Sequence, residues 1–206
     1  MGYLRRVLKR LLLKYVQRAD RAVFSKRMNR LGRYIDWHAK VGWSEELGMY
    51  EVLEDSSVIY VPRKRRLRLY SVGLKKRLSQ LEEQYLLGEV NFSPEDLIID
   101  VGANIGELYM GLALKYGVKA LAVEPEDLEF SALELNLKSL RCEVHKALLW
   151  NRTEQVSFFS QNESGDSSIF QQDPSTAAAQ RMTTTLDDLV ETSDLLRDAR
   201  RIKLLK

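Results

Sequence analysis

Leu97-Ile-Ile-Asp-Val-Gly-Ala-Asn-Ile-Gly-Glu107 is the stretch that decides the fold of this chain. Leu97 to Ile99 with Val101 is a short aliphatic run rich in β-branched residues, the composition of a strand buried on both faces of a parallel sheet. Gly102 and Gly106 follow where the chain must turn sharply and let a ligand approach the backbone, since glycine lacks a Cβ and tolerates positive φ. Leu108, Leu112, Ala113 and Tyr116 then recur at helical spacing from Glu107 until Gly117 stops the pattern. Strand, glycine turn and helix form the first half of a βαβ unit.

Lys119 to Val123 reads as the second strand, and it ends on Glu124-Pro125, 18 residues after Gly106. An acidic side chain at that tip is where a Rossmann-like site bonds the ribose hydroxyls of a nucleoside. The glycine spacing narrows the ligand. A dinucleotide fingerprint needs G-x-G-x-x-G, but Asn104 stands two positions after Gly102 and Glu107 five after, which disfavours NAD. A P-loop ends in Gly-Lys-Ser/Thr, but Glu107 follows Gly106, which disfavours ATP. Carboxylates at Asp100, Glu107 and Glu124 repel phosphate and favour a cationic ligand with a free ribose. S-adenosylmethionine, with a sulfonium, an ammonium and no phosphate, fits those charges.

Asp100-Val-Gly-Ala-Asn-Ile-Gly-Glu107, Ala122-Val-Glu-Pro125, Leu133-Glu-Leu-Asn136 and Thr184-Thr-Leu-Asp187, in that order, resemble the FkbM-type methyltransferases. Leu67-Arg-Leu-Tyr70, Gly73, Arg77 and Tyr85 fall as that family's lead-in segment does, so the similarity covers residues 66–206. The resemblance implies transfer of a methyl group from S-adenosyl-L-methionine to a hydroxyl of a sugar or other small molecule. It implies an α/β fold with a Rossmann-like class I methyltransferase sheet. In such a site Asp100, Gly102, Asn104 and Gly106, with Ala103 and Glu107 in the same turn, would hold the methionine end. Glu124 would hold the ribose, and Ala147-Leu148, after the third strand, would flank the adenine.

The family continues past the strand read at Ile202 to Lys206 with an Asp-x-Glu-Gly segment and further strands. The sequence as given stops at Lys206, so the expected sheet is truncated after its fourth strand. That leaves three readings: a working O-methyltransferase, a non-catalytic remnant, or a basic membrane-surface or interaction module that reuses a Rossmann half. No residue is assigned as the catalytic base. His145 falls inside a strand and His38 precedes the fold, while Asp187 belongs to a helix start, where a carboxylate offsets the dipole.

At 206 residues and 45% hydrophobic, the chain can bury a sizeable core and shows no disordered or collagen-like composition. Cys142 is the only cysteine. It cannot form an intrachain disulfide, and within the strand Cys142 to His145 it reads as a structural thiol in a reducing cytoplasm. No Cys and His cluster has zinc-ligand spacing, so no metal is expected.

Charge divides the chain. Residues 1–78 carry 20 Lys and Arg against 7 Asp and Glu, and residues 79–206 carry 12 against 22. The excess of positive charge begins in residues 1–35, which read as one amphipathic helix. Leu4, Val7, Leu8, Leu11, Leu12, Tyr15, Ala19 and Ala22 lie on one side, with Arg6, Lys9, Arg10, Lys14 and Arg21 on the other. That arc fits either packing on the rest of the fold or, through residues 1–30, an anionic membrane surface at its inner face. Lys9 and Lys14 interrupt the apolar run, which argues against a signal peptide, and no stretch reaches the roughly 18 apolar residues of a membrane span.

The second basic block, residues 62–77, lacks the aromatic platforms of a nucleic-acid site, so no nucleic acid is expected. It reads as a solvated turn between a strand at Ser57 to Val61 and a helix from Leu74, or else as a site for an anionic acceptor. Gln155 to Phe159 reads as a strand and Gln161 to Gln180 as a surface loop. The expected organisation is a basic helical N-terminal extension over 1–56 and a Rossmann-like methyltransferase domain over 57–206.

Overall fold

The helical spacing of the first 35 residues produces two helices, not one. α1 (Tyr3–Gln17) and α2 (Arg21–Leu31) are separated at Asp20, which is extended, and Arg21, whose φ is 52°. The computed structural model describes residues 3–160, 167–169, 178–197 and 201–206, and within them the cause of the break is a lysine far away in sequence. Lys64 Nζ donates to the carbonyls of Gln17 (3.1 Å) and Ala19 (3.0 Å) and pairs with the Asp20 carboxylate. A cation thus satisfies the carbonyls that a helix end leaves open.

β1 (Lys40–Ser44), β2 (Met49–Glu54) and β3 (Ser57–Val61) form an antiparallel sheet in that order. Its register places Val41, Val52 and Ile59 side by side, and all three are buried. α2 covers the β1 edge: Asn29 Nδ2 donates to the Val41 carbonyl at 2.7 Å, Asn29 Oδ1 accepts the Val41 amide at 2.9 Å, and Ser25 Oγ donates to Gly42 O at 2.9 Å. Edge groups that would template foreign strands are thereby satisfied. The basic block becomes a 3₁₀ segment, Lys64–Tyr70, whose Leu67 and Tyr70 eclipse on a three-residue period and are fully buried. α3 (Leu74–Gln84) follows.

The chain forms two compact units, Met1–Ser79 and Gln80–Lys206. Positions 56/57 lie at the hairpin turn between the paired strands β2 and β3.

In the second unit β4 (Leu97–Val101), α4 (Glu107–Tyr116), β5 (Lys119–Val123), α5 (Asp127–Leu137) and β6 (Cys142–His145) alternate as expected. β7 (Leu148–Leu149), β8 (Gln155–Ser160), β9 (Ser167–Ser168) and β10 (Ala178–Thr184) form a second sheet in the order β7-β10-β8-β9. α6 (Leu186–Thr192) and α7 (Asp194–Arg197) then lead to β11 (Ile202–Leu205). Of the loop expected over 161–180, residues 161–166 and 170–177 lie outside the described residues. Ala178 to Gln180 belong to β10, where antiparallel pairing of Ala178 with Phe159 overrides their loop-like composition.

β11-β4-β5-β6 is a parallel sheet. Numbered by appearance its strands run 4-1-2-3, the order at the heart of a doubly wound α/β fold. The expected Rossmann-like class and the expected four strands are both present. Leu97, Ile99, Leu121 and Val123 bury one face of the sheet together with Leu189 and Leu196 from α6 and α7. Alternation turns Ile98, Asp100, Ala120 and Ala122 to the opposite face, and all four are fully buried.

Candidate functional site at the glycine turn

The turn after β4 is built by the end of β5. Gly102 N and Ala103 N both donate to the Val123 carbonyl at 2.9 Å, and Asn104 N donates to Glu124 Oε2 at 2.8 Å. Gly106 N donates to Ala103 O at 2.9 Å. Four amides of the turn are thus committed to protein acceptors. Of the expected cofactor-binding residues, Gly102, Ala103, Asn104 and Gly106 therefore have their backbone donors engaged within the fold.

The two glycines serve different purposes. Gly102 has φ +71° and nothing within 4 Å of where a Cβ would stand, so it opens a cradle. Gly106 has φ +85°, and a Cβ there would meet Leu133 Cδ1 and Leu137 Cδ2 at 2.9 Å. Its bare backbone lets α5 pack against the start of α4. Asn136 in the same helix donates from Nδ2 to Ile105 O at 2.9 Å and pins the turn from behind. The Leu-Glu-Leu-Asn segment thus shapes the site from beneath it.

Acceptor oxygens accumulate around this turn. Glu124 is 4% exposed and accepts the amides of Asn104 and, at 3.0 Å, Glu126. Burial pushes its carboxyl up to about 7, with Glu129 and Glu126 adding to the rise and the two amide bonds opposing it. Asp100 is fully buried, and burial raises its carboxyl above the usual range while Lys206 pulls it back. Asp100 Oδ2, Asn104 Oδ1 and Glu126 Oε1 are buried without a hydrogen-bond partner among the described residues. Asn104 also holds a φ of 53°, unusual for a residue with a side chain.

Glu107 is buried in the first turn of α4, where a carboxylate suits the helix dipole. Ala147 packs on the sheet cluster formed by Leu97, Ile99, Leu121 and Val123. His145 is part-buried with Nε2 3.4 Å from Glu143 Oε2, and His38 lies in the first unit. Burial raises the Cys142 thiol to about 12, as befits a structural cysteine. Thr185 caps α6: its hydroxyl accepts the Asp188 amide and the Asp188 carboxylate accepts the Thr185 amide. Asp187 sits in the first turn.

Two site residues escaped the sequence reading. Glu126 stands two positions after Glu124, so the Glu-Pro-Glu spacing carried its signal. Lys206 carried none, because only the pairing of β11 with β4 brings it to the turn, where Nζ lies 2.8 Å from Asp100 Oδ1 and donates to Gly102 O at 3.0 Å. No cluster of metal-ligating side chains occurs among the described residues.

No family model matches the chain, and no curated protein matches it. Among solved structures it is similar to YjhP from E. coli, at 16% identity and a TM-score of 0.29 over 36% of this chain and 33% of that one. It is also similar to P. horikoshii TYW2 in complex with MeSAdo, at 20% identity and a TM-score of 0.27 over 52% of this chain and 35% of that one. The chain spans about a third of the length of each. By its own strand order and glycine turn it is a Rossmann-like α/β protein.

Proposed function

We propose that this chain is an S-adenosylmethionine-dependent methyltransferase acting on a hydroxyl of a sugar or other small molecule. One observation carries the reading. The amides of Gly102, Ala103, Asn104 and Gly106 donate within the protein, and buried acceptor oxygens stay unpartnered at Asp100, Asn104 and Glu126 among the described residues. A ligand completing such a site must bring hydrogen-bond donors and positive charge, which an ammonium, a sulfonium and ribose hydroxyls supply and a pyrophosphate does not.

The residues fit that group. Gly102 leaves the open space, Asp100 and the Asn104 side chain would accept from the methionine end, and Glu124 with Glu126 would accept from the ribose. When bound, S-adenosylmethionine supplies an electrophilic methyl on sulfur. The chain's contribution is position and electrostatics, which supply much of the acceleration in an in-line displacement. The hydroxyl class of acceptor rests on the FkbM-type resemblance.

Titration calorimetry with the full chain tests the reading. S-adenosylmethionine and S-adenosylhomocysteine should bind, and NAD and ATP should not. Equal affinity for NAD, or no heat with S-adenosylhomocysteine at high protein concentration, would overturn it.

A further inference from the structure

α1 is anchored through Val16, Leu12 and Leu13, so only part of the apolar side that the sequence pattern singles out turns inward. Val16 is fully buried and Leu12 and Leu13 are half-buried. Lys9 pairs with Asp36 at 2.6 Å. The Arg27 guanidinium stacks over the Tyr15 ring at 4.1 Å and donates to the Tyr15 carbonyl at 2.9 Å. With that side fixed inward, Leu4 (81% exposed), Leu8 (53%) and Leu11 (59%) form an apolar arc facing solvent. Packing inside the first unit does not account for them.

Cations border the arc. Arg6, Arg10 and Lys14 are exposed on the same helix, and no ion pair of theirs occurs among the described residues. At the Tyr15 end, α1 and α2 leave a cavity of about 420 Å³ lined by Leu12, Tyr15, Lys26, Arg27, Arg30 and Leu31. Three of those six residues are cationic and none is acidic. An apolar arc long enough to enter an acyl layer, flanked by unpaired cations and ending in a basic cavity, has the chemistry of an interfacial helix.

We infer that α1 and α2 dock this protein on an anionic phospholipid bilayer. Leu4, Leu8 and Leu11 enter the acyl boundary, and Lys26, Arg27 and Arg30 receive a headgroup phosphate. The inference is independent of the methyl-transfer reading, since every residue in it lies in Met1–Ser79.

Vesicle flotation of the full chain tests it, using neutral phosphatidylcholine vesicles and vesicles half phosphatidylglycerol. The chain should float with the anionic vesicles only, and salt of about 1 M, which shrinks the screening length to about 3 Å, should release it. Each cation removed should weaken partitioning roughly fivefold, so Lys26→Ala with Arg30→Ala should cost about 25-fold. Leu8→Ser with Leu11→Ser should reduce binding further although the charge is unchanged. These positions are solvent-facing or line an open groove, so circular dichroism and affinity for S-adenosylhomocysteine should match the wild type.

Equal flotation with neutral and anionic vesicles would overturn the inference, as would no flotation with either. So would full competition by millimolar inorganic phosphate, which would mark a free-anion site. A dimer in sedimentation velocity that Leu8→Ser abolishes would assign the arc to a second copy instead.

Discussion

Lys206 Nζ lies 2.8 Å from Asp100 Oδ1, joining the end of β11 to a carboxylate within β4, the first strand of the parallel sheet. The backbone enforces the meeting: Lys206 N donates to Ile99 O at 3.0 Å, and Val101 N donates to Lys206 O at 2.9 Å. Asp100 is fully buried while the lysine side chain is 23% exposed. Lys206 is thus the counter-charge that lets a carboxylate reside beneath the glycine turn.

Lys206→Met should leave Asp100 without its cation and destabilise the chain by about 1–3 kcal/mol in urea unfolding at neutral pH. The loss of Lys206 raises the folded-state pKa of Asp100 further, and a carboxyl raised in the folded state costs stability as pH climbs through that pKa. The defect should therefore shrink toward acid pH, and Asp100→Asn in the same chain should recover part of it. A defect of equal size at every pH would mean that charge is not its cause.

Gly102 and Gly106 should separate folding from binding. Gly106→Ala meets two leucine side chains and a left-handed φ, for a cost of about 2–4 kcal/mol in unfolding free energy. Gly102→Ala enters open space and should cost only about 1–2 kcal/mol from its φ. It should nonetheless lower affinity for S-adenosylhomocysteine by about tenfold or more, as calorimetry would read.

Glu124, with its carboxyl raised to about 7 by burial, predicts opposite pH trends with and without ligand. The folded state holds the Glu124 proton over a range where the unfolded chain has lost it, so this group's contribution to stability falls as pH rises from about 4.5 to about 7. Affinity for S-adenosylhomocysteine should rise over pH 6 to 8 as the ionised carboxylate becomes available to ribose hydroxyls. Glu124→Gln should flatten both profiles, and a pH-independent wild-type affinity would remove Glu124 from the site.

Thr185→Ala removes one half of the capping box on α6 and should cost about 1 kcal/mol in thermal or urea unfolding. Asp187→Asn should change stability by less, because Asp187 lies in the first turn and does not cap it.

Local sequence determined the parallel strands, the helices between them and the position of the glycine turn. β-branched runs, helical spacing and glycines at left-handed positions act over a few residues, and the turn's acidity was written in Asp100, Glu107 and Glu124. Groups brought together across the chain decided the rest. Lys64 ends α1 by satisfying carbonyls nearly fifty positions upstream, and pairing with β8 makes a strand of residues with loop composition. The difference between Gly102 and Gly106 depends on where the leucines of α5 lie, and Lys206 reaches Asp100 only because β11 pairs with β4. Propensity and patterning are properties of neighbours in sequence, whereas burial, counter-charge and steric room belong to neighbours in space, and only the folded chain defines those.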